Sequence, residues 1–426
     1  MDQTIYDSYV RILRRELVPA LGCTEPIAIA YAGAKAREVL GTMPESVHLR
    51  CSGNIVKNVK GVTVPNSDGM MGLEAAVTLG IVGGDASRGL EVLQSISRRD
   101  IQRTRQLLAG QYCTCALAEQ VENLYIEVSV AAGGESAAVE IQSHHTHITK
   151  ILKNGRIVFS QDCAADADSS LEQDRARLNV QDILSFADEV ALSDVQETLE
   201  RQMEMNGRIA REGLAHAYGA QVGRTLLKYY DSGDVRVRAR AMAAAGSDAR
   251  MSGCPLPVVI NSGSGNQGMT VSLPVVEYAR ELDAGHDRLC RALVVANLIA
   301  LLQKYYIGSL SAFCGAVCAG TGAACGICYL HGGGYEEIAR TITNTLCNVG
   351  GIVCDGAKPS CAAKIAAAVD AGILGFLMAS KEGTAFRSGE GLVQGDIEQT
   401  IQSVGRVGRE GMRSTDLEIL NIMLGK

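Results

Sequence analysis

Half of the fourteen cysteines in this 426-residue chain stand in one short stretch near the C-terminus. The seven are Cys314, Cys318, Cys325, Cys328, Cys347, Cys354 and Cys361. Another, Cys23, lies far upstream in the sequence Leu-Gly-Cys-Thr-Glu-Pro. Disulfides stabilise small, loop-rich domains in oxidising compartments, whereas this chain is long, apolar and dominated by helical patterns. Thiols clustered in such a chain indicate ligation of a soft metal more than disulfide formation.

The charge and hydropathy patterns argue against two classes of partner. The formal net charge is −7, and no dense Lys/Arg patch is interleaved with aromatic residues, so we expect no nucleic-acid surface. Glycine, charged or polar residues interrupt every apolar run before it reaches the length of a membrane span, so we expect no membrane insertion. The start Met-Asp-Gln carries no apolar signal segment. We therefore expect a cytoplasmic protein that acts on a small molecule.

Two patterns divide the chain into a sheet region and a helical region. Residues 123–160 alternate apolar and polar side chains between glycine turns, which predicts β-hairpins. From about residue 178 onward the apolar spacing is almost wholly helical. The segment 162–176 is polar and acidic, and we place a domain boundary there. The predicted fold class is α+β, with a sheet-containing N-terminal domain over 1–170 and a mostly helical C-terminal domain, which carries the cysteine stretch, over 171–426.

The first helices place Cys23 in a special position. Apolar spacing predicts a helix over 2–19 and a second one that ends at Leu40, with Thr24 as its N-cap. Cys23 then lies at a helix N-terminus, where the dipole is expected to lower the pKa of a thiol. Residues 46–65 read as strand, broken by one polar turn.

Four of the clustered cysteines share one face of a predicted helix over 309–330. They cannot all bind one cluster, because Cys314 and Cys328 are about 21 Å apart along such a helix. Spacing alone does not select the ligands among them. Cys354 and Cys361 differ, because they flank a Gly/Pro loop between two helical segments, and such a loop can turn two thiolates toward a shared ion.

Two polar groups are candidates for binding an anionic substrate group. A glycine-rich segment precedes a predicted helix, whose free N–H groups can bind an anion, and its polar side chains are Ser262, Ser264, Asn266 and Gln267. Asn54, Lys57 and Asn58 form the second group. Turn formation alone is the competing explanation for both groups.

The tract His144-His145-Thr146-His147 has the composition of a metal site. Adjacent histidines on a β-hairpin point to opposite faces, which leaves only His145 and His147 on one side. We treat His145 as a candidate residue at the edge of the substrate site, with a surface hairpin as the alternative.

Short motifs in a fixed order give the chain a resemblance to a known family. It resembles the L-cysteine desulfidases, which are related to the α-chain region of iron–sulfur L-serine dehydratases. The motifs span nearly the whole chain: Gly22-Cys23-Thr24-Glu25-Pro26, Gly53-Asn54 with Lys57-Asn58, Asn261 to Gly268, Leu310 to Gly315, Cys354-Asp355-Gly356 and Ser360-Cys361. The resemblance implies a carbon–sulfur lyase that converts L-cysteine to hydrogen sulfide, ammonia and pyruvate, and it favours a homodimer.

The resemblance also implies a [4Fe–4S] cluster held by Cys314, Cys354 and Cys361. Three thiolate ligands leave one iron open to a sulfur leaving group. Some of the related serine dehydratases carry another cysteine in a C-terminal tail that caps the cluster, and this chain ends without one. Cys23 or the substrate is then the candidate for the remaining ligand.

Cys23 and Glu25 are the candidate catalytic residues. Cys23 either removes the α-proton as a thiolate or serves as the resting ligand, and it can alternate between the two roles. Glu25 either orients Cys23 or takes the proton itself. The competing explanations are a plain buried cysteine and a carboxylate that only complements the helix dipole.

Two other functions compete with a cysteine lyase. An L-serine dehydratase would use the same cluster and the same elimination, with hydroxide leaving in place of sulfide. A non-catalytic iron–sulfur redox sensor would be expected to have four protein ligands and no substrate pocket. Three matched cysteines beside a polar, glycine-rich loop favour catalysis.

Overall fold

The computed structural model describes residues 1–161, 166–308 and 310–426. It confirms the α+β class, with the strands concentrated before residue 161 and a mostly helical part after it. Residues 162–165 of the predicted boundary segment lie outside the described residues, and a helix covers Asp166–Arg175. The domain boundary near residue 170 stays a prediction.

The secondary structure consists of the following elements. The strands are β1 (Pro19–Leu21), β2 (Ser46–Cys51), β3 (Cys113–Leu117), β4 (Tyr125–Ala132), β5 (Glu135–Gln142), β6 (Ile148–Lys153), β7 (Arg156–Ser160) and β8 (Pro257–Val259). The helices are α1 (Gln3–Glu16), α2 (Thr24–Leu40), α3 (Gly53–Val59), α4 (Leu73–Gly83), α5 (Arg98–Ala109), α6 (Asp166–Arg175), α7 (Val180–Glu189), α8 (Gln196–Ala215), α9 (Val222–Tyr229), α10 (Val235–Met251), α11 (Gly265–Glu281), α12 (His286–Ile307), α13 (Gly315–Leu330), α14 (Tyr335–Val349), α15 (Cys361–Ser380), α16 (Ile397–Arg406) and α17 (Arg413–Leu424).

Six strands form one sheet in the order β3-β2-β4-β5-β6-β7. The β2–β3 pair is parallel, and the other neighbours are antiparallel. Side chains of β2 and β4 alternate between buried and more exposed, which matches the predicted period of two. The buried face packs with α2 and α4 in one apolar core.

A larger apolar core lies among the C-terminal helices, chiefly α12, α13 and α15. Helix α1 also belongs to this core, through Tyr9, Ile12 and Leu13. Strand β1 then pairs with β8, before α2 enters the sheet core. The connection between α1 and α2, which contains Cys23, therefore passes between the two cores.

Helices α13 and α15 lie side by side with very close backbones. A Cβ on Gly320 would lie 2.8 Å from the carbonyl oxygen of Ala368, and one on Gly372 would lie 3.1 Å from the Cβ of Ala324. Later residues of one helix meet later residues of the other, so the two helices run parallel. Parallel packing brings their N-termini, at Cys314 and Cys361, to the same end of the helical core.

Two described helices, α12 and α15, are long and apolar enough to cross a membrane by length and composition. Of the most apolar window, 83% in α12 and 56% in α15 is buried inside the protein. Both helices belong to the larger apolar core, and such burial accounts for their composition without a membrane.

Four local predictions need correction. Residues 53–59 form helix α3 instead of strand, because Ser52 Oγ caps it by accepting from the N–H of Ile55. The N-cap of α2 is Cys23, one residue before the predicted Thr24. Cys314 is the N-cap of α13, so the predicted cysteine helix starts later than residue 309. The histidine tract lies in the loop between β5 and β6, where alternation of faces does not apply.

Asp248 gives this fold a pH-dependent stability. Burial raises its pKa from 3.8 to about 6, although the N–H of Gly223 donates to its Oδ2. Because the pKa is higher in the folded state, protonation of Asp248 favours folding. This contribution to the free energy of unfolding is complete below about pH 4 and is lost as the pH rises through about 6.

We expect Asp248→Asn to flatten this dependence, so that its free energy of unfolding relative to that of the wild type improves by about 2 kcal/mol between pH 4 and pH 7. Urea unfolding of both proteins at the two pH values measures the difference. Parallel pH profiles for the two proteins would contradict this assignment.

Candidate active site

An isolated β-bridge holds two of the predicted cluster cysteines together. Phe313 and Val353 are its central residues. On either side, the N–H of Cys314 donates to Ile352 O at 2.9 Å and the N–H of Cys354 donates to Ala312 O at 2.7 Å. The side chains of Cys314 and Cys354 are neighbours, and their interaction lowers the pKa of Cys354 and raises that of Cys314.

Cys361 completes a group of three thiols at the N-termini of α13 and α15. It is the first residue of α15, and its Sγ accepts from the N–H of Lys358 at 3.4 Å. Burial raises its pKa, and its charge acts on both Cys314 and Cys354. The structure therefore brings together the three cysteines that the family resemblance selects. Cys325 and Cys328 lie further along α13 and are fully buried in the apolar core.

Lysines surround the three thiols. Lys57 and Lys304 contribute to the lowered pKa of Cys354, and Lys364 acts on Cys361. Lys358 also interacts electrostatically with Cys354 and Cys361. This arrangement stabilises negative charge, as a group of thiolates requires.

Cys23 lies beside this group but not as the predicted thiolate. Its Sγ is 3.8 Å from Met251 Sδ, and it belongs with Val62 and Met251 to a small apolar cluster against which Cys361 packs. Burial raises the pKa of Cys23 to about 12, despite the positive charge of Arg250. The prediction of a lowered pKa was wrong, because loss of water outweighs the helix dipole at this N-cap.

Glu25 is the centre of a second polar group. Its carboxylate accepts from Asn58 Nδ2 at 3.0 Å and from Thr24 Oγ1 at 3.1 Å, and its Oε1 lies 3.9 Å from His145 Nε2. Burial opposes ionisation of Glu25, but His145 and then Arg250 lower its pKa to about 2. The carboxylate is therefore ionised at neutral pH and faces an imidazole.

The glycine-rich loop connects this carboxylate to the thiols. Ser264 is the N-cap of α11 and Gly263 packs against the His145 ring, where a Cβ would lie 3.3 Å from Cε1. Gln267 packs on Gly315, the residue after Cys314, where a Cβ would lie 2.5 Å from its Cδ. The predicted anion loop thus lies between the two groups.

Arg250 and Ser262 hold the ends of this loop. Arg250 donates from Nε to Gly22 O at 3.0 Å and from Nη1 to Asn266 Oδ1 at 3.1 Å. Asn266 is therefore tied to the segment that carries Cys23. Ser262 Oγ donates to Asn261 Oδ1 at 2.8 Å.

Three fully buried amides fix the loop from behind. Asn261 Nδ2 and Gln202 Nε2 each donate to Asn297 Oδ1 at 3.0 Å, and Asn297 Nδ2 donates back to Gln202 Oε1 at 2.9 Å. All three side chains have no solvent exposure. A buried network of this kind keeps the backbone of the loop in one conformation.

A cavity of about 1290 Å³ opens from the surface beside His145 and the glycine-rich loop. Its wall combines residues from both cores and from the C-terminal helix: Ser52, Asn54, His145, Ser262, Gly263, Lys304, Ser311, Asp416 and Leu420. Asn54 lies on this wall, 3.5 Å from Asn123. The ammonium of Lys57 is less available than predicted, because it forms an ion pair with Asp416 of α17.

Several buried polar atoms around the site have no hydrogen-bond partner in the described part of the chain. They are Asn54 Oδ1, Asn58 Oδ1, His145 Nε2 and Gln267 Oε1. Buried polar groups are nearly always paired, so several unpaired atoms on the residues of one site are consistent with a bound polar molecule.

The thiols fit a cluster better than a single ion. Across residues 1–161, 166–308 and 310–426, no three His, Cys, Asp or Glu side chains form a group that could hold one metal ion. Thiols that each bind a different iron of a cluster stand further apart than ligands of one ion. Three cysteines among lysines at the N-termini of two parallel helices have the donor chemistry for an iron–sulfur cluster.

Sequence reasoning missed Arg250, Met251, Lys304 and Lys358. Arg250, Met251 and Lys304 stand inside helical patterns away from every motif, where a basic or apolar residue carries no distinguishing signal. Lys358 stands in the loop between Cys354 and Cys361, where nothing in the sequence sets a lysine apart. Only the packing of α10, α12 and the loop before α15 brings them to the thiols.

Comparison with known proteins gives a family match and close relatives. A family model described as serine dehydratase alpha chain matches residues 87–421. A UPF0597 protein of Desulfitobacterium hafniense is 55% identical over 423 residues, covering 99% of this chain and 97% of the relative. A UPF0597 protein of Lachnoclostridium phytofermentans is 52% identical over 420 residues, covering 99% and 100%. One of Treponema denticola is 45% identical over 428 residues, covering 100% and 99%.

Proposed function

Because the chain belongs to the serine dehydratase alpha chain family, we propose that it is an iron–sulfur-dependent β-elimination lyase whose substrate is L-cysteine. The family match supports a lyase of the serine dehydratase type. One observation gives the proposal its strongest support. The glycine-rich loop has the three thiols on one side and the ionised Glu25 carboxylate with the His145 imidazole on the other.

The family is generally iron–sulfur dependent, and the thiols of this chain suit such a group. Cys314, Cys354 and Cys361 would hold a [4Fe–4S] cluster, which supplies a Lewis-acidic iron with affinity for sulfur. Cys23 is the candidate for a further ligand, supported by its place in the apolar cluster against which Cys361 packs. The role of Cys23 as a base loses support, because a thiol with a raised pKa is mostly protonated at neutral pH.

We assign the removal of the α-proton to His145, oriented by Glu25. An imidazole is the better proton acceptor near neutral pH, because the pKa of Glu25 lies near 2. His145 Nε2 is buried and without a hydrogen bond among the described residues, and the ring lines the cavity. The position of Glu25 suits it to stabilise the imidazolium that proton transfer would form.

The reaction balances without a further redox reagent. Loss of the Cα proton and cleavage of the Cβ–S bond give hydrogen sulfide and aminoacrylate. Aminoacrylate tautomerises to an imine, and water converts the imine to pyruvate and ammonia. The chain has only to hold the amino acid, remove one proton and keep the sulfur leaving group in place.

L-serine dehydratase is the second candidate, because the matching family model carries that description. We expect the anaerobically purified, iron-reconstituted protein to have a higher kcat/KM for L-cysteine than for L-serine. Pyruvate formation from each substrate, measured under the same conditions, decides between them. A higher kcat/KM for L-serine would overturn the choice of L-cysteine and would keep the lyase.

For the location and the oligomeric state of the protein, a cytoplasmic homodimer stays our expectation.

A further inference from the structure

Lys304 lies deep in the cavity on helix α12. It follows Asn297, which holds the glycine-rich loop, by seven residues, so both lie on the same face of the helix two turns apart. Only 8% of Lys304 is exposed, and the residue lines the cavity together with Ser262, Gly263 and His145. Lys304 therefore lies both on the cavity wall and near the thiols.

The ammonium of Lys304 differs from the other cations around the thiols. Lys57 pairs with Asp416, Lys364 pairs with Asp355, and Lys358 donates to the carbonyl oxygens of Lys57 and Lys60. Within the described residues, Lys304 has neither a carboxylate partner nor a hydrogen bond. A mostly buried ammonium with no carboxylate partner costs free energy, so its retention points to an anion that is bound during function.

Other polar atoms of the site have the opposite character, because they accept hydrogen bonds. The carboxylate of Glu25 and the unpaired oxygens of Asn58 and Gln267 are acceptors, suited to a bound ammonium group. An α-amino acid carries an ammonium and a carboxylate on one carbon. The site offers acceptors on the Glu25 side and a free cation on the α12 side.

We propose that Lys304 binds the α-carboxylate of the amino-acid substrate. This assignment rests on the proposed lyase function and adds the residue that selects amino acids over simple amines. The competing role for Lys304 is to offset the charge of the nearby thiols of Cys314, Cys318 and Cys354. The two roles differ in what they predict for a ligand that lacks the carboxylate.

The test compares L-cysteine with cysteamine, which is L-cysteine without its carboxylate. The variants are Lys304→Met, which removes the charge, and Lys304→Arg, which keeps it. Lys35→Met is the matched control, because Lys35 is a half-buried lysine of α2 that pairs with Glu38 and lies outside the site. For each reconstituted protein one measures KM for L-cysteine, the inhibition constant of cysteamine and the iron content.

We expect Lys304→Met to raise KM for L-cysteine about 10- to 100-fold, because a charged hydrogen bond is lost. The cysteamine constant and the iron content should change by less than about twofold. Lys304→Arg should restore most of the affinity, and Lys35→Met should resemble the wild type. The iron-free Lys304→Met protein should melt at a higher temperature, because an uncompensated buried charge is gone.

Contrary results separate the two claims. An unchanged KM, an equal weakening of both ligands, a loss of iron or a lower melting temperature in Lys304→Met would overturn the Lys304 assignment alone. No pyruvate from either L-cysteine or L-serine with the wild-type protein would overturn the lyase function and the assignment with it.

Discussion

We expect Cys354→Ala to remove both the iron and the activity. Its thiol interacts with that of Cys314 and with the charges of Lys57 and Lys304, and its loss leaves two of the three proposed ligands. Iron per chain should fall from about four to below about one after anaerobic reconstitution. Pyruvate formation should fall by more than about 10³-fold, because the Lewis acid is lost.

Cys325→Ala is the matched control for this change. Cys325 is also a buried cysteine, but it lies about 16 Å along α13 from Cys314, inside the apolar core. We expect it to keep its iron and most of its activity, with a modest loss of stability from the missing sulfur. Equal loss of iron in Cys325→Ala and Cys354→Ala would contradict the assigned ligands.

We expect His145→Gln to lower kcat about 10²- to 10⁴-fold while the iron content stays near that of the wild type. The amide keeps a similar volume in the loop between β5 and β6 but cannot accept the α-proton. The measurement is kcat for pyruvate release, together with iron analysis and the absorption spectrum of the reconstituted protein. His147→Gln, in the same loop, controls for changes in loop structure and should lose little activity.

Cys23→Ala separates the two possible bases. If His145 is the base, this variant should retain more activity than His145→Gln, although its cluster spectrum can change through loss of a ligand. Full activity in His145→Gln with none in Cys23→Ala would contradict the assignment and return the proton transfer to Cys23.

The fold class follows from the sequence because the strands of the sheet keep a clear period of two and the later helices keep their own period. The main error is the strand predicted over residues 46–65, part of which is helix α3, and its cause is local. The β-branched residues of 53–59 suit a strand, but the hydroxyl of Ser52 caps a short helix, and this moves Lys57 and Asn58 onto α3. Propensity alone does not decide such a short segment.

The cysteines of the candidate site could be selected only through the family resemblance. The physical reason for their meeting is long-range: the β-bridge at Phe313 and the parallel packing of α13 and α15. Neither leaves a pattern in a single sequence.

Burial is the second quantity that sequence reasoning could not supply. The predicted N-cap, Thr24, is one residue after the observed N-cap, Cys23. Enclosure of Cys23 by Val62 and Met251 reverses the expected change in its pKa. Lys304 shows the same limit, because a lysine near the end of an apolar helix ordinarily reaches solvent. Its burial depends on how α12 packs beneath the glycine-rich loop.

The most direct measurement is the release of sulfide and pyruvate from L-cysteine by protein that is purified and reconstituted without oxygen. We expect equal amounts of the two products, and we expect both to disappear when the iron is removed. Neither product from a protein that still binds about four irons per chain would contradict the proposed elimination.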